Sequence, residues 1–274
     1  MKKISRRSFL AAAGLSVAAL ALTACGGSSA STASSVASSA ASSEAASTSA
    51  AAGELTTVEA GKLTMATNAT FPPYEMTTDA GEFEGIDIET AQAIADKLGL
   101  ELQIDDMDFD AALLSVQQGK ADIVMAGVTV TDERKAVMDF SDSYATGIQS
   151  IIVPEGSDIA SPDDLAGKKI GTQRGTTGYI YCSDDFGDDA VVAYDNGLTA
   201  VQALNNGQVD AVVIDNAPAK EYVAANPGLA ILDTSYAEED YAIGMAKGSS
   251  LEAAVNAALE ELKADGTLQS IVDK

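Results

Sequence analysis

The chain has 274 residues, 46% of them hydrophobic, enough to bury the core of one large domain or two ordinary ones. Sixteen Lys and Arg stand against 41 Asp and Glu, and the formal charge of −25 repels phosphates and anionic headgroups, which excludes a nucleic-acid binder. With no histidine and only two cysteines, the composition also excludes a Ser–His–Asp triad, a Cys–His dyad, a His-ligated metal and a disulfide scaffold.

The first segment is an address. Lys2, Lys3, Arg6 and Arg7 precede an apolar run, Phe9 to Leu22, that is too short for a membrane span and has the form of a secretory leader over residues 1–24. Leu22-Thr23-Ala24-Cys25 resembles a bacterial lipobox, in which the Cys is diacylated and becomes the new N-terminus. Ser5-Arg6-Arg7-Ser8-Phe9-Leu10 also resembles a twin-arginine signal, so the export route stays open between that and the general one. Removal of the leader takes four basic residues with it and brings the formal charge to −29. Residues 26–54 are almost only Gly, Ser, Ala and Thr, with Glu44 and Glu54 the lone charges. Such a segment cannot bury enough apolar surface to offset its ordering entropy. Residues 25–57 are therefore expected to be a lipidated Cys and a flexible tether, reaching roughly 30 Å for about 30 residues. The expected location is the cell membrane, lipid-anchored through Cys25, on the extracytoplasmic face.

From residue 58 short apolar runs alternate with amphipathic stretches. Leu63–Thr67 is a predicted strand, and Ile86–Leu98 a helix with Gly99 as its stop. A strand follows at Glu101–Asp105, a helix at Ala111–Gln118 ended by Gly119, and a buried strand beginning at Asp122–Met125. Further strands are predicted at Lys169–Thr172, Val191–Tyr194, Val209–Ile214 and Leu229–Leu232, with helices near 177–185, 198–206 and 216–225. The alternation predicts parallel sheets covered by helices on both faces.

Two segments are alike. Ala112 to Gly127 and Ala200 to Asp215 both run helix, Gly stop, two residues, Asp, then four apolar residues. Any helix, turn and buried strand could look like this; the sharper reading is two similar α/β lobes. Ligands of open parallel sheets sit beyond the carboxyl ends of the strands. Here those ends are Ala126-Gly127-Val128-Thr129 and Asp215.

At this point the sequence resembles the bacterial solute-binding proteins of polar amino-acid ABC transporters. The resemblance runs from about Leu63 to the C-terminus. It is carried by Thr67-Asn-Ala-Thr-Phe71-Pro-Pro-Tyr74, Phe83-Glu-Gly-Ile-Asp87, Met107-Asp-Phe109-Asp-Ala-Ala-Leu and Gly127-Val-Thr129-Val-Thr-Asp-Glu-Arg134. Asp139-Phe-Ser-Asp-Ser-Tyr144, Asp164-Leu-Ala-Gly-Lys-Lys-Ile-Gly171, Gly175-Thr-Thr177-Gly and Leu262-Lys-Ala-Asp-Gly266 continue it in order. The resemblance implies an α/β fold of the two-lobed periplasmic-binding type II architecture. One lobe would hold residues 58–147 and 241–274, the other 148–240, joined by two hinge strands near Ala145–Gln149 and Glu238–Tyr241. It implies capture of a free amino acid in the interlobe cleft and delivery to a permease with its ATPase. No catalysis, cofactor or metal is implied, and a monomer is expected. A dehydratase or a ligand-sensing domain on the same scaffold is the alternative.

The residues fit a zwitterion. Arg134 can fork a carboxylate, with backbone N–H groups at Thr129 and Thr177, the latter opening a helix, in support. Asp215 can accept from an ammonium, with the Gly127 carbonyl and the Thr129 hydroxyl. Phe71 and Phe109 fall at the family positions that flank a ligand side chain. Taken singly, Arg134 beside Asp132 and Glu133 also fits a surface ion pair, Asp215 a helix cap, and the two Phe a core. Arg174 departs from the family pattern and either faces solvent or reaches the ligand; Gly178 would strip a side chain from the pocket's edge. Cys182 reads as a small buried apolar group, and Asp184 to Asp189 as a solvated acidic loop without EF-hand spacing. Because no second carboxylate can be placed in the pocket from sequence, neutral polar or acidic amino acids are expected over Lys and Arg.

Overall fold

A Gly-stopped helix feeding a buried strand occurs twice, and the computed structural model, which describes residues 55–274, builds one sheet around each copy. Residues 1–54, with the expected leader, Cys25 and most of the tether, lie outside the described residues.

The first sheet opens with β1 (Lys62–Thr67), followed by a small antiparallel sheet of β2 (Thr70–Phe71), β3 (Glu75–Thr77) and β4 (Phe83–Glu84). Helix α1 (Ile86–Leu98) stops at Gly99 in the left-handed region and leads to β5 (Glu101–Asp106). Then come α2 (Phe109–Gln117), β6 (Ile123–Val124), α3 (Asp132–Val137) and β7 (Met138–Phe140). The chain crosses through β8 (Ala145–Pro154) to β9 (Ile170–Gln173), α4 (Thr177–Phe186), β10 (Val191–Tyr194), α5 (Gly197–Asn205), β11 (Ala211–Asp215), α6 (Asn216–Ala225) and β12 (Leu229–Ile231). It returns through β13 (Ala237–Tyr241) to β14 (Gly244–Ala246), α7 (Glu252–Ala264) and α8 (Thr267–Val272).

The sheets are mixed, which corrects the expectation of parallel ones. In β5-β1-β6-β14-β7 only the pairs of β1 with β5 and β6 are parallel; the returning β14 runs antiparallel to β6 and β7. In β10-β9-β11-β8-β12 the βαβ units are parallel and β8 is antiparallel to its neighbours. The reason is connectivity. Parallel neighbours need a helical crossover, whereas β8 and β14 enter their sheets from the other lobe without one. The two crossing segments pair with each other, Ala145 opposite Tyr241 and Gln149 opposite Ala237.

Strand alternation divides the core. On β1, Leu63 and Met65 pack with Ile94 of α1 and Leu259 of α7, while Ala66 faces Phe109, Ala112 and Val116 of α2. On β11, Val212 and Ile214 face α5 and α6, and Ala211 and Val213 face Cys182 of α4. Each sheet is thus covered on both faces by helices. The matching aspartates have matching work: Asp122 accepts the Thr64 N–H at 2.8 Å and Asp210 the Lys169 N–H at 2.7 Å, each tying the strand that follows a helix to its parallel neighbour.

Candidate functional site

Both repeated strands end at one cleft. β6 runs into Ala126, Gly127 and Thr129, and β11 ends in Asp215; Phe71, Phe109, Arg134 and Thr177 complete the walls. All seven side chains or backbones named from the sequence therefore line one cleft, together with Asn68, Glu75, Gln173 and Thr176. Gly127 holds φ +55, and a Cβ there would stand 2.9 Å from the Phe71 ring, so only glycine lets the loop lie against that aromatic.

Arg134 is 8% exposed, not a surface ion-pair member. Thr131 caps its short helix by accepting the Arg134 N–H at 3.2 Å. The guanidinium donates through Nη1 to the Thr129 carbonyl at 2.8 Å and through Nη2 to the Gly175 carbonyl at 3.1 Å, and lies 5.4 Å over the Phe109 ring. Five donors are available on a guanidinium, so three remain for another acceptor. Burial lowers its pKa, opposed by the charge of Glu239. Opposite it, Thr176 caps α4 and Thr177 is the first helical residue, whose amide has no partner inside the helix.

Asp215 precedes α6 but makes no cap bond; it accepts the Gln149 Nε2–H at 2.7 Å instead. Burial, then the neighbouring Glu239 charge, push its pKa up to about 7. Glu239, on β13, was legible only as part of a hinge. Its Oε2 accepts from the Thr129 hydroxyl at 3.1 Å, the Thr177 hydroxyl at 3.0 Å and Gln149 Nε2 at 3.0 Å. One carboxylate behind the cleft thus gathers a donor from each lobe.

Glu75 was missed as well. It sits on β3, 0% exposed, facing the cleft, and no donor among the described residues reaches either oxygen. A glutamate immediately after Phe71-Pro-Pro-Tyr74, inside an otherwise apolar and turn-forming stretch, is the signal that could have found it. Burial and the adjacent Asp87 carboxylate raise its pKa well above the usual range. Asp87 itself holds the Gly127 N–H at 3.0 Å and the Tyr144 hydroxyl at 2.7 Å, and burial raises it to about 6. The sequence expectation that no second carboxylate enters the pocket is therefore corrected: Glu75 does.

Other residues fall outside the cleft. Arg174 is exposed, 3.8 Å from Asp195. Gly178 does not line the cleft; a Cβ there would meet Gln149 Oε1 at 2.8 Å, so its smallness lets α4 approach β8 and β11. Cys182 is buried with Ile151 and Val213, and burial raises its pKa to about 12. Asp185 accepts the Tyr236 hydroxyl at 2.6 Å, and no cluster able to hold a metal ion is found among the described residues.

The family described as "Bacterial extracellular solute-binding proteins, family 3" matches residues 63–274. The chain is 34% identical over 221 residues to the L-cystine-binding protein TcyJ of Escherichia coli (strain K12), covering 79% of this chain and 83% of that one. It is 33% identical over 273 residues to a probable histidine-binding protein of Neisseria gonorrhoeae, covering 96% and 93%. Among solved structures, the arginine-, lysine-, histidine-binding protein ArtJ of Geobacillus stearothermophilus superposes with a TM-score of 0.74 at 35% identity, covering 77% of this chain and 93% of that one.

Proposed function

The chain belongs to the bacterial extracellular solute-binding proteins of family 3, and we propose that its cleft captures a free α-amino acid and delivers it to an ABC-transporter permease. The observation that carries this reading is the convergence of Arg134, the first turn of α4 and Asp215 on one cleft. Arg134 and the Thr129 and Thr177 amides take the α-carboxylate; Asp215, with the Gly127 carbonyl, takes the α-ammonium; Phe71 and Phe109 flank the side chain. The ligand touches both lobes only when they meet, so binding selects the closed form and the hinge lies in the paired segments of β8 and β13. The lobes comprise residues 58–147 with 241–274, and 148–240. The cleft carries and does not catalyse.

Against the neutral polar or acidic amino acid expected from the sequence, the preferred ligand in this reading has a cationic side chain. Among the described residues Glu75 offers an acceptor with no protein donor, and Arg134, the one cation of those residues that lines the cleft, is already turned toward two carbonyls. ArtJ, named for arginine, lysine and histidine, supports the same class. A thermal-shift screen of the twenty amino acids tests this: L-arginine or L-lysine should raise the melting temperature most. A shift by none of them would overturn the capture reading, and a larger shift by a neutral or acidic amino acid would overturn the ligand class.

Cys25 carries the lipid anchor of a monomer held at the outer face of the cell membrane. Wild-type protein should partition into detergent and bear a lipid mass at Cys25, and Cys25→Ala should not. Unlipidated wild type would refute the anchor.

A further inference from the structure

Two neighbouring carboxyl groups, Glu75 lining the cleft and Asp87 buried behind Gly127, have opposite surroundings. Asp87, in the first turn of α1, has both oxygens engaged, by the Gly127 N–H and the Tyr144 hydroxyl, and the helix dipole favours its charge. Glu75 has neither oxygen engaged by a donor and is 0% exposed. A buried carboxylate without a donor or a cation is strongly disfavoured, so of the two it is Glu75 that keeps a proton, beside the charge of Asp87.

The other groups facing Glu75 reinforce this. Asp106 at the end of β5 and Asp215 at the end of β11 add negative potential. Tyr74 beside it, Tyr144 before β8 and Tyr222 on α6 are all held protonated and bring no charge. Arg134 spends two donors on the Thr129 and Gly175 carbonyls.

We propose that this cleft exchanges a proton for a cationic ligand: Glu75 is a neutral acid until a guanidinium or ammonium side chain enters, and its proton passes to solvent as that side chain takes its place. A neutral side chain leaves the proton where it is. The same cleft therefore binds the two ligand classes with different proton counts, and its preference for cations grows with pH. The inference rests on the amino-acid reading of the cleft given above. Asp215 exchanges protons too, but it faces the α-ammonium common to every ligand, so its share cancels between ligands.

Calorimetry of the whole protein with L-arginine and with its neutral isostere L-citrulline, at about pH 7.5 in two buffers of different ionisation enthalpy, counts the protons. Arginine should release about one proton more than citrulline, and its affinity should rise about tenfold more per pH unit. In Glu75→Gln, which keeps the shape of the side chain, that excess should vanish and arginine should bind more than 100-fold more weakly. Tight arginine binding with the same proton release as citrulline would overturn the exchange while leaving the ligand reading intact. Failure of any amino acid to bind would instead overturn the reading on which the exchange rests.

Discussion

The Arg134 guanidinium, seated on the first lobe, donates to the Gly175 carbonyl of the second at 3.1 Å. It is one of several bonds across the cleft: Gln173 Nε2 donates to Asn68 Oδ1 at 2.9 Å, and the Tyr222 hydroxyl to the Thr70 carbonyl at 2.5 Å. In the proposed reading, ligand recognition and lobe contact therefore share Arg134. Arg134→Ala should weaken amino-acid binding by about 2–5 kcal/mol, the scale for removing one partner of a buried charge pair. Arg134→Lys should recover part of this, since it restores charge but not the fork. Isothermal calorimetry measures both, and wild-type affinity in the alanine variant would remove Arg134 from the site.

Glu239 should matter without touching the ligand. Glu239→Ala leaves the Thr129 and Thr177 hydroxyls and one Gln149 N–H without their shared acceptor. Each stranded buried donor costs about 1–3 kcal/mol. Binding should weaken by at least about 1 kcal/mol, with circular dichroism unchanged; an unaltered dissociation constant would show that the network does not hold the lobes together.

Stability and affinity should run in opposite directions with pH. Burial raises Asp87 to about 6, Asp215 to about 7, and Glu75 well above its ordinary range. The folded protein then binds more protons than the unfolded chain, so the stability from these groups is full below about pH 4 and is lost as pH rises through 6 to 7. The formal charge of −25 adds repulsion in the same direction. If Asp215 takes the α-ammonium as proposed, binding needs it ionised, so affinity should rise over the same window. Melting temperatures without ligand should fall from pH 5 to 8 while dissociation constants tighten. Asp215→Asn should flatten part of the melting slope, and an unchanged slope would place that titration elsewhere.

Gly175 should resist a side chain for two separable reasons. Its φ is +74, and a Cβ would run into the Asp110 carboxyl of α2. The left-handed backbone alone costs a non-glycine residue about 1–2 kcal/mol. Because Asp110 and Gly175 belong to different lobes, the clash weakens ligand binding more than it lowers the ligand-free melting temperature. Asp110→Ala added to Gly175→Ala should restore the binding share and leave the backbone share. Strict additivity of the two substitutions would show that they do not meet.

Helical spacing with a Gly stop located α1 to within its observed bounds, Ile86–Leu98, because an amphipathic stripe and a C-terminal glycine are local properties. The repeated helix–Gly–Asp–strand segments placed Gly127 and Asp215 at matching strand ends for the same reason. Antiparallel β8 and β14 were not legible: their neighbours come from distant parts of the chain, and an apolar run does not state its direction.

By itself the sequence determined the acidic composition and the two α/β repeats, whose strand ends carry Gly127, Thr129 and Asp215, because periodicity and turn glycines are local properties. Phe71, Phe109, Arg134 and Thr177 were joined to them by the resemblance of their motifs to the family. Only the tertiary structure decided the electrostatics of that cleft. Glu75 and Glu239 are ordinary glutamates along the chain. They become a buried acid without a donor and a three-donor hub because β3 and β13 carry them into a space where Asp87, Asp215, Thr129 and Thr177 also arrive. Burial and neighbours separated by long stretches of chain set a carboxyl group's charge, and neither is written in the residues beside it.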